Sequence, residues 1–214
     1  MYLLLGSERA LLLDTGTGHA TLRPVVESLL DGQRLIVAHT HSHGDHVGGD
    51  GEFDEVVGKS AEDVATYFGI ADWPNDVVQL DLGGRVLDII PIPGHHASHI
   101  AVYDRTSKVL FSGDSLYPGR LYVFDWTAFR ASMTRLAEFV AAGNPVEWIL
   151  GAHIELTREP GRDFEMGADK HPDEHELELD AGVLSELAEV LEEAGPDPSR
   201  IESDHFIVYP VPAG

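Results

Sequence analysis

The chain has 214 residues, 43% of them hydrophobic, which suffices for one sizeable core near the upper end of the single-domain range. Its 37 Asp and Glu against 14 Lys and Arg give a formal charge of -23, a field that repels phosphate backbones and anionic membranes, so neither nucleic acid nor membrane is an expected partner. Cysteine is absent, which removes disulfides, thiolate metal sites and cysteine nucleophiles and leaves His, Asp and Glu to bind any metal.

The opening Met1-Tyr2-Leu3-Leu4-Leu5 is apolar but lacks a basic leader, a long hydrophobic run and a small-residue cleavage site, so a cytoplasmic location is expected. Tyr2 to Leu5 and Ala10 to Leu13 read as a hairpin across Gly6-Ser7-Glu8-Arg9. Leu22, Val25, Val26, Leu29 and Leu30 have helical spacing, and Leu35 to Ala38 is a buried-type strand running into a histidine cluster. Ser60, with Asp63 three positions on, predicts a capped helix through about Phe68. Strands are then expected at Val77 to Leu80, Val86 to Ile92, Ile100 to Tyr103 and Val109 to Phe111. A helix follows at Trp126 to Ala142, a strand at Trp148 to Leu150, a long loop at Glu159 to Asp173, a helix at Leu184 to Leu191 and a strand at Phe206 to Tyr209. This order predicts an α+β class, helices covering sheets, in one domain over 1–214 with a loop and helix elaboration at about 159–194.

His41-Ser42-His43-Gly44-Asp45-His46 places three imidazoles and a carboxylate at a strand end, too many costly polar groups unless something coordinates them. His41 and His43 project to one side of extended backbone, whereas Asp45 and His46 follow the Gly44 bend and can face elsewhere, which suits two adjacent ions. Pro93-Gly94-His95, Phe111-Ser112-Gly113-Asp114 and Gly151-Ala152-His153 each end a strand on a further candidate ligand.

In these motifs the chain resembles the metallo-β-lactamase superfamily, with its His-x-His-x-Asp-His signature followed by three more ligand-bearing strand ends, over nearly the whole length. The resemblance implies an αββα four-layer sandwich, with His41, His43 and His95 on one metal, Asp45, His46 and His153 on a second, and Asp114 bridging them. Two divalent ions are implied, zinc first, with iron or manganese as alternatives. His95-His96-Ala97-Ser98-His99 departs from the usual turn and leaves His95 or His96 open as the ligand, His95 being favoured because it directly follows the Gly94 bend. Asp14 resembles a family aspartate that orients the ligand loop, or is a plain turn residue; His39 and His99 are candidates to support the ligands, and His19, His171, His175 and His205 read as ordinary groups. Relatives commonly carry an earlier strand or two, so a shortened first sheet, or an edge completed by a partner in a homodimer, is a further expectation.

Two such ions lower the pKa of a shared water from ~15.7 toward neutrality, so the expected reaction is attack of a bridging hydroxide on the carbonyl of a small-molecule ester, thioester or lactone, with Asp45 and Asp114 as catalytic carboxylates. Tyr117, Arg120 and Tyr122 either line the mouth as substrate contacts or pack a loop; Phe124, Trp126 and Phe164 either wall the site or belong to a core. The bridging position of Asp114 resembles the glyoxalase II-like branch, yet only Arg158, Arg162, Lys170 and Arg200 are basic after His153, and that branch's additional helical domain is not evident, so a glutathione thioester stays open. The alternatives are a mononuclear iron persulfide dioxygenase-type enzyme, a phosphodiesterase, or a non-catalytic metal-binding protein.

Overall fold

The computed structural model describes residues 1–212, and the chain divides into two compact units: Met1–Pro91 with His96–Ser107, and Ile92–His95 with Lys108 onward. The mixture of strands with five α-helices among the described residues is the expected α+β class. Among the described residues no helix is long and apolar enough to cross a membrane.

In the first unit, β1 (Tyr2–Leu5) and β2 (Arg9–Leu13) form the predicted antiparallel hairpin, with Leu5 opposite Ala10. The chain crosses through helix α1 (Arg23–Leu29) to β3 (Arg34–Ala38), which lies parallel to β2. Leu12, Val26 and Val37 form the buried centre of this layer, with Leu3, Leu22, Leu30, Leu35, Phe53 and Val56 packed around them. Helical spacing overstated the apolar face of α1: Val26 is buried, but Val25 and Leu29 are 57% and 56% exposed. After β3 come a short helix α2 (Gly44–Val47), a 3-10 turn (Asp50–Glu52) and helix α3 (Ala61–Phe68). The α3 start is the predicted capping box: Ser60 Oγ accepts from Asp63 N, and the Asp63 carboxylate accepts from Ser60 N. Strands β4 (Val78–Asp81), β5 (Val86–Pro91) and β6 (Ile100–Asp104) then pair antiparallel in sequence.

In the second unit, β7 (Val109–Gly113) leads to β8 (Arg120–Val123), helix α4 (Trp126–Ala141) and β9 (Trp148–Gly151), with β9 parallel to β7. Strand β10 (Glu178–Leu179) pairs antiparallel with β9. Helix α5 (Ala181–Ala194) precedes β11 (Ile201–Glu202) and β12 (Ile207–Pro210), and β12 runs parallel to β8. In α4, Phe129, Met133 and Leu136 recur at helical spacing and are fully buried, as are Leu187 in α5 and Phe206. Side-chain bonds lash the two helices together: Trp126 Nε1 donates to Gly195 O at 3.0 Å and Arg130 Nε to Leu191 O at 2.8 Å. The predicted loop over 159–173 contains no helix or strand.

Candidate metal centre

The first unit holds His41, His43, Asp45 and His46 on the segment that leaves β3. His41 Nε2 and His43 Nδ1 turn toward one another at 2.9 Å. Helix α2 then redirects the chain, so that Asp45 and His46 pair with each other, His46 Nε2 lying 3.5 Å from Asp45 Oδ2. The segment is fixed by backbone bonds: Thr15 N donates to His46 O at 2.7 Å and Ile100 N to Thr40 O at 2.8 Å.

Behind these imidazoles stands Asp14, buried at the end of β2 in a left-handed backbone conformation with φ 67°. Its Oδ1 accepts from Thr40 N at 2.7 Å, and its Oδ2 accepts from His46 Nδ1 at 3.0 Å. Thr40 Oγ1 donates to the same carboxylate, and so accepts from His41 Nδ1 at 3.2 Å. With both Nδ1 atoms protonated in this way, His41 and His46 present Nε2 as electron-pair donors, the state a metal requires. Asp14 is therefore an orienting residue as well as the end of a strand.

A second group backs the same segment. His39, also buried, donates Nε2–H to Asp50 Oδ1 at 2.8 Å, and that oxygen accepts from Thr15 Oγ1 at 2.7 Å. Lys59 Nζ stands 2.8 Å from Asp50 Oδ2. Burial alone raises the Asp50 pKa, but Lys59, Thr15 and His39 outweigh it and hold the carboxyl below its ordinary value. His99 is buried with its ring stacked on His41, 4.8 Å between centroids. His96 bonds through Nδ1 to Ser98, and burial, then the nearby His43, lower its pKa.

The second unit holds His95, Asp114 and His153 at the ends of three segments. Gly94 has φ 140°, and a Cβ there would come within 2.4 Å of Phe129 Cα, so the bend before His95 requires glycine. His95 Nδ1 donates to Tyr122 O at 2.7 Å, which turns Nε2 toward Asp114 Oδ2 at 3.6 Å. His153 Nε2 lies 3.3 Å from the same oxygen. These separations exceed the ~2.7–3.2 Å of an N–H···O bond. Two donors each ~2.1 Å from one tetrahedral ion lie ~3.4 Å apart, which the Asp114 pairs and the His46–Asp45 pair all approximate. The donors are imidazoles and carboxylates, a set suited to zinc, iron or manganese. The residues fit a metal.

Tyr117 and Arg120 are both buried. The Tyr117 hydroxyl donates to Arg120 O, and Glu155 Oε2 lies 3.1 Å from it. Burial, then Glu155 and Asp114, push the phenol well above its ordinary pKa, so it stays neutral. Arg120 Nε donates to Tyr122 Oη at 3.1 Å, and the guanidinium also reaches Glu155, Asp163 and Phe164 O. These bonds tie together the segments between and after the candidate ligands. Of the aromatics read as wall or core, Trp126 is buried, Phe124 is 56% exposed with its ring 5.7 Å from that of His95, and Phe164 stacks on His171 at 4.3 Å. The residues missing from the sequence reading are Thr40, Asp50, Glu155 and Asp163. None lies in a ligand motif or carries a local signal of its partner.

An α+β fold here carries imidazole and carboxylate donors, a set able to hold divalent metals, at successive strand ends. The chain belongs to the metallo-β-lactamase superfamily, whose family model matches residues 1–201. Among curated relatives, it is 31% identical to the acyl-coenzyme A thioesterase MBLAC2 of Gallus gallus, over 73% of this chain and 72% of that one. It is 30% identical to a hydroxyacylglutathione hydrolase of Aeromonas hydrophila, over 87% of this chain and 72% of that one. A solved metallo-beta-lactamase from Pontibacter korlensis shares the fold with a TM-score of 0.60 and 18% identity, over 89% of this chain and 85% of that one.

Proposed function

We propose that the protein is a dinuclear zinc hydrolase of small-molecule acyl compounds, thioesters foremost among thioesters, esters and lactones. The observation that carries the reading is Asp114 Oδ2 held between His95 Nε2 and His153 Nε2 at 3.6 and 3.3 Å, in a superfamily member. The preference for thioesters rests on relatives named as an acyl-coenzyme A thioesterase and a hydroxyacylglutathione hydrolase. In this reading the ligands would be His41, His43, Asp45 and His46 of the first unit and His95, Asp114 and His153 of the second.

When bound, the ions supply a water of lowered pKa and polarise the acyl carbonyl. The protein's own groups prepare for this. Asp14 and Tyr122 O fix His46 and His95 with Nε2 as the electron-pair donor, and Thr40 does the same for His41. Oxygen from water bonds to the acyl carbon, the carbon–sulfur bond breaks, and the thiolate takes a proton. Asp45, whose side chain is 43% exposed, is the carboxylate able to carry that proton between the reacting atoms and solvent.

The test is a panel of acyl thioesters, esters, lactones and phosphodiesters assayed with zinc-loaded and chelator-stripped protein. Turnover of a thioester that disappears on stripping and returns with zinc supports the proposal. Silence toward every acyl compound by protein carrying two zinc ions, or phosphodiester cleavage alone, overturns it.

A further inference from the structure

Asp114, His95 and His153 come from separate segments of the second unit, and one guanidinium touches the chain close to all three. Arg120 is 4% exposed, and its side chain meets four acceptors: Tyr122 Oη at 3.1 Å, Asp163 Oδ2 at 2.7 Å, Phe164 O at 2.8 Å and Glu155 Oε1 at 3.1 Å. Glu155 completes the knot, because its Oε2 accepts from Arg120 N at 2.8 Å and lies 3.1 Å from the Tyr117 hydroxyl, which itself donates to Arg120 O.

Each arm leads to a ligand by a short path. Tyr122 supplies the carbonyl that accepts from His95 Nδ1 at 2.7 Å. Tyr117 follows Asp114 by three residues, and its ring lies 5.5 Å from that of His153. Glu155 follows His153 by two, and the backbone between is held where Glu155 N and Leu156 N donate to Pro118 O at 2.7 and 3.0 Å. The arm to Asp163 and Phe164 ends in the loop over 159–173. Burial draws the guanidinium pKa down, but Glu155, Tyr122 and Asp163 outweigh it, so the hub stays cationic.

We propose that Arg120, acting through Glu155, Tyr117 and Tyr122, is a positioning residue that sets the mutual placement of His95, Asp114 and His153 for metal binding. This rests on the reading of those three residues as ligands. Arg120 touches neither substrate nor metal in this role. A guanidinium with five donors in a rigid plane can hold these acceptors at once, whereas a lysine ammonium on a flexible stem cannot.

The test compares Glu155→Gln, Arg120→Lys and Asp163→Asn with wild type, reading zinc affinity by chelator competition and the visible absorption of the cobalt-substituted protein. Both are measured well below each variant's melting temperature. Glu155→Gln and Arg120→Lys are expected to lose ~10–100-fold in zinc affinity and to shift the cobalt bands. Asp163→Asn, which cuts only the loop arm, is expected to keep wild-type affinity and spectrum. A merely structural hub would lower the melting temperature of all three and leave affinity and spectrum unchanged; that result overturns the proposal. Should either hub variant fail to fold, Tyr122→Phe, which deletes only the hydroxyl that accepts from Arg120 Nε, decides by the same two readouts. Wild-type protein that takes up neither zinc nor cobalt would instead overturn the ligand assignment itself.

Discussion

Asp14 Oδ2 accepts a hydrogen bond from His46 Nδ1 at 3.0 Å, between two buried side chains more than thirty residues apart in sequence. The aspartate holds φ 67°, a conformation that asparagine also tolerates and alanine does not. Asp14→Asn is therefore expected to keep the fold and lose ~10–100-fold in zinc affinity, since a neutral amide supports the imidazole less well. Asp14→Ala should lose stability as well. Zinc competition and thermal melts separate the two effects, and wild-type zinc affinity in Asp14→Asn would refute the orienting role.

The group formed by His39, Asp50 and Lys59 makes a contrasting pair of variants. Asp50→Ala strips acceptors from buried His39 and from Thr15, whose backbone N–H holds the His46 carbonyl, and is expected to cost ~2–3 kcal/mol. Lys59→Met removes a partner that is 48% exposed and should cost under ~1 kcal/mol. Denaturant unfolding of the metal-stripped proteins checks both values.

Acid sensitivity follows from Asp104, whose carboxylate is fully buried against Arg85 at 2.6 Å. Burial raises its pKa, but bonds from Arg85, Ser107 and Thr106 N outweigh this and hold it below the ordinary value. For a depressed carboxyl, the stabilisation is complete above its unfolded-state pKa of ~3.9 and is lost as pH falls through the lower folded value. Wild type should lose stability more steeply than Asp104→Asn below about pH 4. Parallel urea titrations at pH 3 to 6 test this, and identical slopes would contradict it.

Ser60→Ala removes the oxygen that accepts from Asp63 N at 3.1 Å, and should cost ~1 kcal/mol. Turnover at temperatures well below melting should stay unchanged, because the capping box lies outside both donor sets.

The candidate ligand positions stand out in the sequence because each is a His or Asp at or just past the end of an apolar strand, a pattern confined to a few neighbouring residues. The hairpin Tyr2 to Leu13 and the capped α3 were legible for the same local reason. Strand β8 was not: its four residues follow directly on a loop, and its partner is β12, far along the chain. The Arg120 hub was hidden likewise, since it joins the guanidinium to Glu155, Asp163 and the Phe164 carbonyl, 35 to 44 residues on, with no periodicity to announce them. Sequence spacing placed Tyr117 and Arg120 close to the candidate ligands, but only burial and hydrogen bonding reveal the hub in which the two residues meet. Specificity is still less legible, because it depends on the side chains that line the space around the donors rather than on the donors themselves.

The most direct test of the central claim is zinc content and thioester turnover measured together in wild type and Asp114→Ala. Wild type is expected to carry two zinc ions per chain, and the variant to show a joint fall in bound zinc and turnover. Full turnover by Asp114→Ala, or full turnover by wild type stripped of metal, would contradict it.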